Sequence, residues 1–397
     1  MKELLSRFEN LTPEELQANK PPFATRVFPE DGYFSMYERK TGLFVRMPFK
    51  GHKDPLWSPH GPEIADVEIT TVCSTGNCGM CYMDSTAQGN HMTMEDLDLL
   101  IGQLKETPCH AVAMGGGNPN EHPQFVEILK KFSDANITPS YTTNGHNITP
   151  EILEATKEYC GAVAVSWPWW EKRHKNFNRN LIVNNERKRT AHQALNMFLE
   201  AGIQTNIHFV LGDKSIDKAI EFLKTEPAVL NLKRLNAMVF LLHKPVGRAK
   251  PEDNLRIDDP RVDEFLEVAG LNSQKNGEKI KPKWGIGFDS CSVPLLVDRT
   301  DTDLDYTETC ESARFSIFIT RDLKTMPCSF LKASKNPPDL HKTRLSTVWR
   351  EDELFTNHRN SMIKTDSECI GCKKHDQCLG GCTAMKEIVM CNRKNNG

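Results

Sequence analysis

The sequence lacks a long hydrophobic run, and it lacks an excess of charge of either sign. No apolar stretch approaches the roughly 18–20 residues of a bilayer-spanning helix, and the first residues, MKELLSRFENLTPEE, are charged rather than signal-like. The 50 lysines and arginines nearly balance the 53 aspartates and glutamates, which leaves a net charge of −3. This balance gives no electrostatic reason to expect nucleic acid or an anionic membrane as a partner. We therefore expect a cytoplasmic protein.

Cysteine, by contrast, is abundant and unevenly distributed. Three of the 13 cysteines lie within residues 73–81 and eight lie between residues 291 and 391, which leaves Cys109 and Cys160 alone. In a reducing cytosol, cysteines grouped at short spacings are more often metal ligands or catalytic groups than disulfides. The two isolated cysteines are interpreted as small buried hydrophobic residues.

Residues 1–61 are predicted to form an N-terminal appendage. Within it, YFSMYERKTGLFVRMP alternates apolar and polar residues on either side of residues 40–42, a pattern typical of a β-hairpin, and ENLTPEEL suggests a short helix. From residue 275 to residue 397 the periodicity fades while cysteines, prolines and turn residues increase. This last segment is predicted to be a second domain that metal binding organises more than a large apolar core does.

Between these segments, residues 62–274 repeat a strand–helix unit. The predicted strands cover residues 66–72, 110–115, 137–143, 161–167, 203–211 and 234–242, and the predicted helices cover residues 92–106, 123–136, 149–159, 188–202, 215–226 and 258–270. Strands that alternate with helices of this length pair in parallel with right-handed crossovers. Six units are too few for a closed eight-stranded barrel, so the fold class is α/β, a partial (β/α)6 TIM-like barrel followed by the cysteine-rich domain. Active sites on such scaffolds lie at the carboxyl ends of the strands.

The loop CSTGNCGMCY follows the first of these strands and places Cys73, Cys78 and Cys81 within nine positions. Structural zinc sites use four protein ligands, and ordinary iron–sulfur clusters use four cysteines. A set of three leaves one metal position without a protein ligand. The spacing by itself leaves open whether a fourth ligand lies elsewhere in the chain or whether one metal position binds something other than protein.

This loop resembles the signature of the radical S-adenosylmethionine (SAM) superfamily, CxxxCxxC followed by an aromatic residue, here Tyr82. The first gap holds four residues instead of three, and a glycine in the loop can absorb the insertion. The resemblance implies a [4Fe–4S] cluster held by the three cysteines, with SAM bound to its fourth iron. Reductive cleavage of SAM would then give a 5′-deoxyadenosyl radical that abstracts a hydrogen atom from the substrate.

Further segments at predicted strand ends resemble SAM-binding elements of the same superfamily. GGGNP resembles the GGEP turn that binds the SAM amino group. TTNG and the end of the fourth strand resemble segments that contact the carboxylate and ribose of SAM. VFLLHKPVGRA contains a P-x-G-R-A loop of the same superfamily. On the fifth strand two polar residues alternate with apolar ones and should face the lumen. The residues implied as SAM contacts are Tyr82, Gly115, Gly116, Gly117, Asn118, Asn144, Ser166, Asn206, His208 and Arg248.

The eight downstream cysteines include CIGCKKHDQCLGGC and resemble a SPASM domain, which carries two auxiliary [4Fe–4S] clusters. The resemblance implies a nearer cluster held by Cys291, Cys310, Cys328 and Cys382, and a distal one held by Cys369, Cys372, Cys378 and Cys391. With four thiolates each, neither cluster offers a free iron, so both are assigned to electron transfer. Zinc sites built from the same residues remain an alternative, since CxxC pairs also suit zinc.

The architecture resembles enzymes that modify peptides or proteins, and we expect a maturase that crosslinks, epimerises or oxidises a ribosomally made precursor peptide. An electron donor such as flavodoxin or ferredoxin is the implied partner. The alternatives are a radical SAM enzyme acting on a small molecule, for example a dehydrogenase, and a non-catalytic iron–sulfur or zinc scaffold. Asp289 beside the nearer cysteines is the candidate catalytic base, and its alternative reading is a turn aspartate bonded to local backbone. The loop with Trp167, Trp169 and Trp170 suggests either a substrate wall or core packing.

Overall fold

A computed structural model gives the fold of the chain. It describes residues 12, 15, 23–76, 78–168, 186–225, 232–272, 284–300, 307–331, 336–364 and 367–392. The helix suggested at residues 9–16 falls almost entirely outside these ranges, as do Trp169 and Trp170. No helix in the described part of the chain is long and apolar enough to cross a membrane.

The centre of the molecule is a nine-stranded sheet with the predicted parallel barrel strands as its middle. In chain order these are β4 (Ile64–Thr70), β5 (Ala111–Gly116), β6 (Thr138–Thr143), β7 (Val163–Ser166), β8 (Thr205–Leu211) and β9 (Ala237–Leu242). They pair in sequence, each parallel to the next. The partial α/β barrel predicted from the strand–helix repeat is therefore confirmed.

The predicted helices cover the outside of this sheet. They are α1 (Met94–Leu104), α2 (Phe125–Asp134), α3 (Pro150–Tyr159), α4 (Glu186–Glu200), α5 (Ile216–Thr225) and α6 (Arg261–Val268). The hydroxyls of Thr93 and Thr149 accept the backbone N–H groups of Asp96 and Ile152 and so cap the first turns of α1 and α3. Buried side chains such as Phe132 fill the layer between the helices and the strands.

The cysteine-rich segment extends the same sheet at both edges. Strand β10 (Gly285–Phe288) pairs in parallel with β9, and β11 (Ser316–Ile319) pairs in parallel with β4 and antiparallel with β12 (Thr325–Met326). Leu323 occupies the turn between β11 and β12 with a φ of 58°, in the left-handed region that favours glycine. The domain boundary at residue 274 stays a prediction. Strands β10 and β11, which follow this residue, pair directly with barrel strands β9 and β4.

The rest of this segment contains short helices. They are α7 (Val293–Arg299), α8 (Leu345–Glu351), α9 (Glu353–Ile363) and α10 (His375–Cys378). Helix α9 begins at a cap in which the Asp352 side chain accepts the backbone N–H of Leu354.

The N-terminal appendage is a three-stranded antiparallel sheet of β1 (Phe23–Phe28), β2 (Tyr33–Glu38) and β3 (Phe44–Pro48). The predicted hairpin is β2–β3, and the sequence analysis missed β1. Strand β2 is buried throughout, and the Ser35 hydroxyl lies 2.9 Å from Nε2 of His110, the residue before β5. Arg46 pairs at 2.8 Å with Glu63, the residue before β4. The appendage therefore packs against the amino-terminal ends of the barrel strands.

Candidate active site

A cavity of about 1090 Å³ is lined by the carboxyl-terminal ends of the barrel strands and by the cysteine-rich segment. Parallel strands bring their ends to one edge, so loops far apart in sequence meet there. All three cysteines of the first loop line this cavity, together with Cys291, Cys310 and Cys328.

The first cysteine loop leaves β4 and folds back on itself. The Cys73 amide donates to Thr86 O at 2.7 Å, the Gly76 amide to Cys73 O at 2.8 Å, and the Cys81 amide to Cys78 O at 3.2 Å. Burial raises the pKa of the Cys73 thiol, and the proximity of Glu121 and Cys81 adds to that shift. The loop therefore gathers thiols whose ionised form needs compensating positive charge.

The glycine turn after β5 packs directly on the segment that precedes Cys73. A Cβ on Gly117 would lie 1.9 Å from Val72 O, and one on Gly116, which has a φ of 107°, would lie 2.1 Å from Thr70 O. A Cβ on Gly115 would meet nothing within 4 Å. The sequence predicted close approach of this backbone to a ligand, whereas two of the three glycines allow close approach to the end of β4.

Asn118 is buried in a network that joins the glycine turn to the next strand end. Its Oδ1 accepts the Asn144 amide at 3.2 Å, and its Nδ2 donates to Glu121 Oε1 at 2.9 Å. The other Glu121 oxygen accepts the Ser74 amide at 2.8 Å. Glu121 thus connects the turn to the cysteine loop, a role that the sequence analysis did not identify.

Three other predicted contacts lie at the cavity wall. Asn144 donates to Thr75 Oγ1 at 2.7 Å and approaches Cys73 Sγ at 3.6 Å, and Ser166 lines the cavity at the end of β7. His208 also lines the cavity, and burial lowers its pKa to about 4, so its imidazole is neutral near pH 7. Its Nδ1 lies 3.2 Å from the Thr142 hydroxyl.

The structure places Asn206 apart from these residues, and its contact with SAM stays a prediction. It faces the same side of β8 as His208, but it lies near the amino-terminal end of the strand, where its Oδ1 accepts Asn236 Nδ2 at 2.8 Å. It does not line the cavity. Strand alternation predicted the correct face of β8 for this side chain. Asn206 lies two residues before His208, however, and this position places it away from the cavity.

Arg248 contacts the first cysteine loop. Its guanidinium donates to Cys78 O at 2.9 Å and to Gly76 O at 3.0 Å, and it pairs with Asp84 at 2.7 Å. The neighbouring Gly247 has a φ of 66°, and a Cβ there would lie 2.5 Å from Cys81 O. Arg248 therefore holds the cysteine loop in place, and its contact with SAM stays a prediction.

We expect Arg248→Met to weaken retention of metal by the first cysteine loop about 10–100-fold, the usual cost of losing a residue that orients ligands. The reason is that its donors satisfy loop carbonyls that would otherwise be free to rearrange. The measurement is iron retained per chain during a chelator challenge. Arg256→Met is the control, because that exposed arginine pairs with Asp258 two residues away; equal losses in both variants would contradict the assignment.

Tyr82 connects the first cysteine loop to the cysteine-rich segment. Its ring lies 4.8 Å from the ring of Phe330, which follows Cys328 by two residues. Tyr82 is 36% exposed and lines the cavity. The predicted contact residue thus stands between the two groups of thiols that line the cavity.

The eight downstream cysteines fall into two sets of mutually facing thiols. Burial raises the pKa of Cys310 to about 11 and that of Cys328 to about 12, and each shift is increased by Cys382. Burial also raises the pKa of Cys291 well above its usual value, with Cys310 and Cys328 contributing.

The second set is separate from the first. Burial raises the pKa of Cys378, and Cys391, Cys369 and Cys372 add to that shift. The thiols that influence one another's pKa fall into the same two groups that the resemblance implies, and the two auxiliary clusters stay a prediction.

Two such sets of buried thiols fit iron–sulfur clusters, because a cationic inorganic core offsets the repulsion between four thiolates and their loss of hydration. The described residues contain no group of three or more His, Cys, Asp or Glu side chains placed to hold one metal ion. The isolated Cys109 is buried, and Cys160 is half-buried.

Asp289, the predicted catalytic base, lies at the cavity wall but is already engaged. Its Oδ2 pairs with the Lys244 ammonium and accepts the Leu242 amide at 3.1 Å, and its Oδ1 accepts the Ser292 hydroxyl at 2.7 Å. These contacts favour the reading of Asp289 as an aspartate bonded to its surroundings. The sequence analysis did not identify Lys244. Trp167 packs edge-on against Phe222 at 5.5 Å, as a core residue would.

Comparison with known proteins finds a family model that matches part of the chain. Residues 67–225 match the Radical SAM superfamily. A curated relative, the AdoMet-dependent heme synthase of Methanosarcina barkeri (strain Fusaro / DSM 804), is 28% identical over 97 residues. That match spans 24% of this chain and 28% of the relative's length.

Solved structures share the fold at low sequence identity. SuiB of Streptococcus suis matches with a TM-score of 0.66 and 14% identity over 94% of this chain and 98% of SuiB. SuiB bound to the precursor peptide SuiA matches with a TM-score of 0.61 and 18% identity over 81% and 72% of the two chains. The enzyme anSMEcpe with bound AdoMet matches with a TM-score of 0.58 and 16% identity over 82% and 87%. The chain therefore carries a radical SAM domain, at residues 67–225.

Proposed function

We propose that this protein is a radical SAM enzyme that abstracts hydrogen from a peptide or protein substrate, with a ribosomally made precursor peptide as the favoured substrate. The observation that carries the proposal is the single cavity of about 1090 Å³ that reaches from the first three cysteines to the nearer downstream set. A substrate held there lies between two groups of thiols. That arrangement suits chemistry that combines hydrogen abstraction with electron transfer.

The chain's own residues divide the work. Cys73, Cys78 and Cys81 would hold a [4Fe–4S] cluster, and the two downstream sets would hold auxiliary clusters. Bound there, the clusters and SAM would supply hydrogen-atom abstraction and electron transfer. The wall formed by Asn144 and Ser166 would orient the cofactor, and the buried surroundings would exclude water from a reactive intermediate.

The peptide substrate is supported by what similar structures contain. SuiB has been solved with its precursor peptide SuiA, and anSMEcpe with a peptide named Cp18Cys. Because β1–β3 pack at the amino-terminal ends of the barrel strands, we propose that the peptide docks directly at the cavity or is delivered by a separate recognition protein. An acidic electron carrier such as flavodoxin or ferredoxin remains the proposed reductant.

A small-molecule substrate is the second candidate, because the curated relative with local similarity is named as a heme synthase. The deciding experiment is anaerobic co-expression of the chain with short peptides encoded beside it, followed by mass spectrometry of each peptide. A mass change that depends on Cys78 supports the peptide substrate. Unmodified peptides, together with 5′-deoxyadenosine formation stimulated by a small molecule, would favour the second candidate.

Anaerobic reconstitution separates the enzyme from a metal-bound scaffold. We expect about twelve iron atoms per chain, four for each of three clusters, and about eight after Cys369→Ala is combined with Cys372→Ala. Wild-type chain that binds about two or three zinc ions and forms no 5′-deoxyadenosine on reduction would contradict the proposal. Cys109→Ala should leave the iron content unchanged, because that thiol is buried away from the cavity lining.

A further inference from the structure

Lys244 is a buried cation at the wall of the cavity, in the segment that follows β9. Its ammonium pairs with Asp289 and donates to Leu242 O at 2.9 Å. It also lies 4.7 Å from the centre of the Phe330 ring. Asp289 precedes Cys291 by two residues, and Phe330 follows Cys328 by two, so the ammonium is held between the segments that carry two of the nearer thiols.

The charge of Lys244 reaches most of the nearer cysteine set. Burial raises the pKa of Cys291, Cys328 and Cys382, and the attraction of Lys244 opposes that shift at each of the three thiols. Asp289 acts in the opposite direction at Cys291 and more weakly than Lys244 does there. The pair is therefore neutral as a unit but presents its positive end to the thiols.

Lys244 keeps its charge in this position. Burial by itself would lower the pKa of Lys244, but the attraction of Asp289 and Cys291 outweighs burial and raises it. Lys244 lines the cavity, whereas none of the four distal thiols does. The pKa of the distal thiol Cys378 is raised by burial and by the other three distal thiols.

We infer that Lys244 is a positioning residue that raises the reduction potential of the nearer auxiliary cluster and leaves the distal cluster unaffected. The inference rests on the proposed function, in which Cys291, Cys310, Cys328 and Cys382 hold that cluster. A cluster gains one negative charge on reduction, so a fixed cation beside its ligands stabilises the reduced form. The nearer site is thereby made the better electron acceptor of the two, on the side that faces the cavity.

The test is an anaerobic redox titration of reconstituted full-length chain, followed by electron paramagnetic resonance. We expect Lys244→Met to shift the reduction equilibrium of the nearer cluster at least tenfold toward the oxidised form, which is about 59 mV for one electron. Lys244→Arg should restore most of the shift, because it restores the charge. Repeating the titration with Cys369→Ala and Cys372→Ala removes the distal signal and assigns the change.

The controls separate this inference from the proposed function. Lys224→Met removes an exposed lysine paired with Glu264 and should leave both potentials unchanged. If Lys244→Met loses iron, Asp289→Asn is titrated in its place. Removing the negative charge of Asp289 should raise the reduction potential of the nearer cluster, the opposite of the change expected for Lys244→Met. Full iron content with an unchanged nearer potential in Lys244→Met, or in Asp289→Asn where that variant is needed, overturns the inference alone. A wild-type chain without iron overturns both proposals.

Discussion

A chain carrying Cys78→Ala is expected to lose reductive cleavage of SAM by at least about 100-fold, because removal of a ligand should cost no less than removal of a residue that orients one. Cys78 lines the cavity together with Cys73 and Cys81, and its carbonyl oxygen accepts a hydrogen bond from Arg248. With two thiols left, the loop cannot hold a cluster that keeps one iron free. The measurement is 5′-deoxyadenosine formed after chemical reduction, quantified by liquid chromatography and mass spectrometry.

The matched control is Cys109→Ala. That thiol is fully buried beneath the barrel, and burial raises its pKa to about 12, so it is a neutral hydrophobic residue at any working pH. The substitution should reduce stability somewhat and leave SAM cleavage per folded chain unchanged. Sustained cleavage in the Cys78 variant would show that the first loop is not the site of SAM chemistry.

Gly117→Ala is expected to disrupt the site through backbone collision alone. The added methyl would lie 1.9 Å from Val72 O and 2.5 Å from the Val72 carbonyl carbon, which are backbone atoms that cannot swing away. The Gly117 amide also donates to Thr70 O at 2.7 Å, so the turn cannot retreat without losing that bond. We expect a destabilisation of about 1–3 kcal/mol or more, together with loss of iron from the first site, because Val72 directly precedes Cys73.

Two glycines in the same chain serve as controls for this substitution. A Cβ on Gly115, two residues earlier at the end of β5, or on Gly102 in helix α1, meets nothing within 4 Å. Neither Gly115→Ala nor Gly102→Ala should lower the thermal unfolding midpoint, and Gly102→Ala should also preserve SAM cleavage. Equal stability of the Gly117 and Gly115 variants would contradict the close packing of the turn on β4.

The strand–helix repeat carried most of the fold prediction. Hydrophobic periodicity with short connections leaves few topologies once parallel pairing is assumed, and all the predicted barrel strands form in order. The caps at Thr93 and Thr149 were equally readable, because a cap involves residues within one turn of each other. Strand β1 was missed because no local pattern around FATRVF identifies its partner strand. The position of β1 is set by its antiparallel pairing with β2.

The candidate site was only partly readable from the sequence. Spacing identified the first cysteine loop, and resemblance supplied the division of the later cysteines into two sets. Asn206 and Arg248 were assigned to SAM because each lies on a segment that reaches the site. Their side chains bind Asn236 and the cysteine loop, at positions that no local pattern encodes.

By itself the sequence determined the order of the elements, the edge of the sheet at which the loops converge, and the number of thiols available there. These follow from local periodicity and from the common direction of parallel strands. Only the tertiary structure decided which polar side chains at that edge already have hydrogen-bond or ion-pair partners within the protein. Arg248 meets carbonyls about 170 residues away in the chain, and Lys244 meets Asp289 across 45 residues. The energy of such contacts depends on distance and burial in three dimensions, and a one-dimensional pattern carries neither.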